Sequence, residues 1–147
     1  HLPILTAHWG LSPGIAFSAL LFSVAHLNNP HLTFLGLFEI LMAGVLFALA
    51  YIVTGTLYLP LALHFSWNFF QSFFGFTVSG LAFPSFFQLE VIGPELWTGG
   101  AFGPEAGGVG LILLVLATGA TLLYGRHRRD DSRQTTMTTD SAEIKRP

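Results

Sequence analysis

Apolar positions in this chain gather into four long stretches separated by turn-forming residues, and a polar run follows the last of them. The first stretch opens at Ser12-Pro13, a favourable cap followed by proline at the first helical position. It runs to about Leu27 and would be about 22 Å long as a helix; Asn28-Asn29-Pro30 then supplies turn chemistry. The second covers residues 36–53 and stops at Thr54-Gly55, where glycine suits a helix C-terminus. The third begins near Leu57, tolerates Pro60 in its first turn and reaches about Val78. The fourth opens at Pro104-Glu105, a proline with a first-turn acid, and continues to Tyr124, about 31 Å. The pattern predicts an all-α, polytopic transmembrane helical bundle of about four spans.

Charge sharpens this picture. The chain has 147 residues, of which 52% are hydrophobic and 10% charged, where a soluble domain carries about 25% charged residues. All six Lys and Arg lie after Gly125, and residues 1–125 carry only Glu39, Glu90, Glu95 and Glu105. So few charges could not cover a water-facing surface, so the chain reads as an integral membrane protein with the lipid bilayer as its first partner. Two units result: a transmembrane domain over residues 1–125 and a polar, Ser/Thr-rich tail over residues 126–147, expected to be disordered. Arg126, Arg128 and Arg129 abut the last span and place that end in the cytoplasm by the positive-inside rule. A net charge of −2 with no basic stripe argues against a nucleic-acid partner. The absence of cysteine excludes disulfides, thiolate metal sites and cysteine nucleophiles.

The connection between the third and fourth spans is rich in Gly, Pro and aromatics. Its Phe83, Phe86, Phe87 and Trp97 would suit the headgroup interface. Its run Gly99-Gly100-Ala101-Phe102-Gly103 lacks the Gly-Lys-Ser/Thr ending of a phosphate loop.

The candidate chemistry lies inside the apolar stretches. His64 and Asn68 are four residues apart in LYLPLALHFSWNFFQSFFGF and share a helix face. Their imidazole and carboxamide could hold an oxyanion or a metal-bound water. The same spacing relates Phe22 to His26 at the end of the first stretch. Each group could instead act as packing glue between helices, a contribution of about 0.6–2 kcal/mol. Polar groups gathered from separate spans favour a site, because their cost in hydrocarbon selects for function. For His26 and His64 to meet, the first span must tilt or must end within the protein, with Asn28-Asn29-Pro30 lining a wet cavity. Glu39 reads as a first-turn acid at the positive end of a helix dipole. Ser66 and Gln71 are given no role, and His1, His8, His31 and His127 fall in loops or at ends. No Asp occurs in residues 1–125, no Gly-x-Ser-x-Gly elbow is present, and no His-Glu-x-x-His motif exists, so serine-triad and zincin chemistry are both disfavoured.

The pieces FSALLFSVAHL and GTLYLPLALHFSWNFF resemble the CPBP family, membrane-embedded proteases related to CAAX prenyl endopeptidases and bacteriocin-processing proteins. That family carries Glu-Glu-x-x-x-Arg, then Phe-x-x-x-His, then His-x-x-x-Asn. Phe22–His26 matches the second motif and His64–Asn68 the third, and ELWTGGAFGPEAG is similar to a loop of some bacterial members. The first motif does not occur. HLPILTAHWG is similar to the family segment just after that motif, so the resemblance implies that the catalytic glutamate lies upstream. It also implies an endopeptidase acting on peptide or prenylated-protein substrates, in the plasma membrane of a prokaryote. His26 would help a glutamate activate water, and His64 with Asn68 would stabilise the oxyanion. This chain alone would then be inactive. Zinc is admitted as a cofactor, with His26 and His64 as ligands beside a carboxylate. The competing readings are a non-catalytic scaffold or immunity protein of the same fold, and a transporter fragment whose polar groups line a pore.

Overall fold

A computed structural model describes residues 11–144, with side chains described for residues 13–129. The stretch HLPILTAHWG and the side chains of most of the polar tail lie outside the described residues. The elements are α1 (Leu11–Val24), α2 (Phe34–Thr54), α3 (Tyr58–Phe74), a single turn α4 (Glu95–Thr98), two 3-10 turns (Gly100–Phe102 and Pro104–Ala106) and α5 (Gly108–Ile144). Among the described residues there is no strand, and one isolated bridge pairs Val78 with Leu81.

Two helical segments are long and apolar enough to cross a bilayer, Phe34–Thr54 and Gly108–Arg129. At 14 and 17 residues, α1 and α3 rise about 21 and 26 Å, short of a hydrocarbon core of about 30 Å. Among the described residues, two helices of the expected bundle of about four spans are thus of full spanning length and two are shorter apolar helices.

Local chemistry explains the shifts in boundary. The second helix begins earlier than residue 36 because Thr33 caps it, its Oγ1 accepting from the Gly36 N–H at 3.0 Å. Gly55, at φ 71°, closes its other end. The third helix ends at Phe74 rather than near Val78. Gly75 adopts φ 94°, its N–H reaches Ser72 O at 3.1 Å, and the Phe76 N–H reaches Gln71 O at 2.9 Å, a Schellman closure. Pro104-Glu105 does not open the last helix. It forms its own 3-10 turn, separated from α5 by the extended Gly107. The last helix does not stop at Tyr124 but runs to Ile144, since no glycine or proline lies between Gly125 and Pro147 to end it.

Small residues set the helix contacts. A methyl group at Gly44 would lie 2.8 Å from Ala19 Cα, so α1 and α2 approach closely there. Helices α2 and α5 run parallel: Glu39 faces Gly110 near their beginnings, and Val53 faces Gly125 further along both. Beyond Gly125, Arg128 Nη1 donates to Val53 O at 3.0 Å, putting a cation at the negative end of α2.

The glycine-rich connection folds inward. Phe102 is 1% exposed and forms the core with Ile40 and Ala106, with Phe22 and Leu32 packed against them. Glycine is needed for this close return: a methyl group at Gly103, φ 103°, would overlap Thr77 O. The other aromatics of the connection, Phe83, Phe86, Phe87 and Trp97, are exposed.

Candidate active site

Helix α3 is divided along its length. Phe65, Phe69 and Phe73 form an exposed or half-exposed ladder, stacked at 5.9 Å steps and continued by Phe86 at 5.4 Å. His64, Trp67 and Gln71, at helical spacing, face the other way into the protein. This inner face, with α1, α2, α5 and the returning loop, encloses a cavity of about 310 Å³. His26, Glu39, His64, Trp67, Ser79 and Glu105 contribute its polar wall, and most of the rest is Phe, Leu, Ile and Ala.

The two histidines meet around one ring. Phe22 lies 4.7 Å from His26 and 5.4 Å from His64, centre to centre, and Phe47 closes on His64 at 5.2 Å. Helix α1 ends at Val24, which is exposed. His26 sits on the tight turn just beyond, with its N–H on Ser23 O at 3.0 Å. The turn is tied inward where Asn29 Nδ2 donates to Ser79 O at 3.0 Å. His26 Nδ1 lies 2.7 Å from Phe22 O. A carbonyl only accepts, so Nδ1 carries the hydrogen and Nε2 of the neutral ring is left as a proton acceptor. Asn68 stands one turn beyond His64, half-buried, and is not part of the cavity wall.

Two carboxylates complete the cavity, and the apolar pattern gave neither this place. Glu105 accepts from Trp67 Nε1 at 2.8 Å and from the Ser79 hydroxyl. With its amide nitrogen turned to the carboxylate, the buried Gln71 donates to Glu105 Oε1 at 3.1 Å. Ser79 reaches this position from a left-handed backbone, φ 49°, an uncommon conformation of the kind held at functional sites. Glu39, read from the sequence as a first-turn acid, stands beyond the first turn because α2 starts at Phe34. It is 3% exposed, and its Oε1 has no hydrogen-bond partner among the described residues. The available signal was scarcity: four acids in the first 125 residues make each one in an apolar context worth attention.

Among the described residues no group of three His, Cys, Asp or Glu side chains is arranged to hold a metal ion. The zinc reading of His26 and His64 therefore lacks its third ligand here.

Residues 2–70 match a family model described as Type II CAAX prenyl endopeptidase Rce1-like. The match contains His26, Glu39, His64 and Asn68 and ends before the loop that carries Glu105. Over that stretch, which is less than half of the 147 residues, the chain is similar to a family of membrane proteases. No curated protein and no solved structure matches it.

Proposed function

We propose that this protein is an intramembrane endopeptidase that hydrolyses peptide bonds of membrane-associated substrates. The observation that carries the reading is the convergence of His26, on the turn after α1, and His64, on α3, on one partly apolar cavity. In the proposed reaction a water attacks the scissile carbonyl while His26 Nε2 takes its proton, the base being oriented by the bond from Nδ1 to Phe22 O. The negative oxygen that forms accepts hydrogen bonds from His64, and from Asn68 once its side chain turns toward the cavity. Collapse breaks the C–N bond, and the proton held by His26 passes to the leaving amine.

The resemblance assigns a further water-activating carboxylate to Glu-Glu-x-x-x-Arg, a motif these 147 residues do not contain. We expect the chain alone to be inactive and to gain cleavage when a segment bearing that motif is joined to it. Residues 126–147 belong in this reading to the cytoplasmic side.

The test is cleavage of quenched fluorescent peptides by the joined protein in liposomes. His64→Ala and Asn68→Ala should each lower kcat by about 10²–10³, the usual consequence of losing an oxyanion donor. Undiminished kcat in either variant removes that residue from the mechanism.

A further inference from the structure

The carboxylate end of the cavity carries an imbalance that the proposed peptide hydrolysis does not use. Glu39 and Glu105 both line the cavity, and no Lys or Arg does. Every Lys and Arg of the chain lies beyond Gly125, and Arg128 is engaged with Val53 O at the far end of α2. The two acids differ in how they are held. Glu105 is gripped by Trp67 and Ser79, whereas Glu39 lines the cavity with a buried Oε1 that has no donor among the described residues. A methyl group at Gly110 would lie 2.8 Å from Glu39 Oε2, so the backbone of α5 closes over the carboxylate and restricts its other approaches. Burying an acceptor without a donor is costly, and burying a charge without a counter-charge more so. A ligand that brings N–H donors and a positive charge relieves both at once.

We propose that Glu39, with Glu105 beside the same cavity, receives a primary ammonium group of the substrate: a lysine side chain or a free α-amine carried on an otherwise apolar segment. Three N–H donors on one compact head can serve the free oxygen of Glu39 and the one lone pair of Glu105 that Trp67, Ser79 and Gln71 leave. The apolar walls take the aliphatic stem, as long amine side chains commonly bury theirs. The substrate class deepens the endopeptidase reading and rests on it, and its test is a binding measurement that requires no cleavage.

Trp67 supplies the reporter, since its indole lines the cavity and donates to Glu105. In the full chain with Trp9→Phe and Trp97→Phe, Trp67 emission is titrated in detergent micelles with n-octylammonium chloride, n-octanol and sodium octanoate. The ammonium should bind about ten- to a hundredfold tighter than the alcohol, the range expected of hydrogen bonds to a charged group; octanoate should bind weakest. Glu39→Gln, nearly isosteric but uncharged, should abolish the preference for the ammonium over the alcohol. Two apolar hexapeptide probes separate the sources: one with a blocked amino terminus and a central lysine, the other with a free amino terminus and norleucine at the centre. Equal affinity of ammonium and alcohol, or a preference that survives Glu39→Gln, overturns the proposal. Either result leaves the endopeptidase reading to its own cleavage assay.

Discussion

The cavity has two ends built by different means, and they teach different things. At the imidazole end, His26 and His64 are placed by short-range spacing: each is four residues from a motif partner, and they meet over the Phe22 ring. At the carboxylate end, Trp67, Gln71, Ser79 and Glu105 come from a helix, a left-handed turn and a 3-10 turn up to 38 residues apart. The first end is held by ring contacts and by one hydrogen bond within a single turn of chain. The second ties the glycine-rich loop to α3, so it is structural as well as polar.

That contrast can be broken most severely at the loop. A methyl group at Gly99, φ 78°, would overlap Gly103 O. Gly99→Ala should therefore destabilise the protein by about 3 kcal/mol or more, from left-handed strain plus a clash with rigid backbone. Chemical unfolding in micelles, followed by far-ultraviolet circular dichroism, measures this, and an unchanged midpoint would show that the loop is not held as described. Phe102→Ala should cost about 3–5 kcal/mol in the same assay, because it empties the most buried large side chain in the core.

Glu105→Ala comes next, at about 2 kcal/mol, since Trp67 Nε1 and the Ser79 hydroxyl lose their shared acceptor. The Trp67 emission should shift at the same time, whereas Glu105→Gln, which keeps an acceptor, should shift it less. The smallest effect on stability belongs to His26→Ala, about 1 kcal/mol for one local side-chain-to-backbone bond. If His26→Ala unfolds the protein as readily as Phe102→Ala, the distinction between the two ends is lost.

The same contrast decides how much was legible in the chain. The helices announced themselves through apolar length and Gly55, and the histidines through spacing, whereas Ser12 lies within α1 rather than capping it. The closure at Gly75 was not separated from the apolar run that continues to Val78, because the positive φ of a glycine is not printed in hydropathy. Glu39 was misplaced by the start of its helix, which Thr33 sets rather than the apolar pattern. Glu105 looked like an ordinary first-turn acid because Gly107 breaks the chain between it and α5, a break only the folded loop reveals. Phe102 was one aromatic among several, and its burial depends on the small side chains of Gly36 and Ala106 leaving room for it. Contacts within one helix could be read from the chain; contacts that a loop makes on returning could not.

The unequal heights of the helices have a consequence for the surrounding lipid. Around α2 and the first part of α5 the apolar belt can match an ordinary bilayer, but beside α1 and α3 it is shorter by about 5–10 Å. Acyl chains on that flank must compress or tilt to avoid exposing hydrocarbon. In a bilayer the apolar layer would be thinnest on that flank, which carries His64 on α3 and His26 just beyond α1.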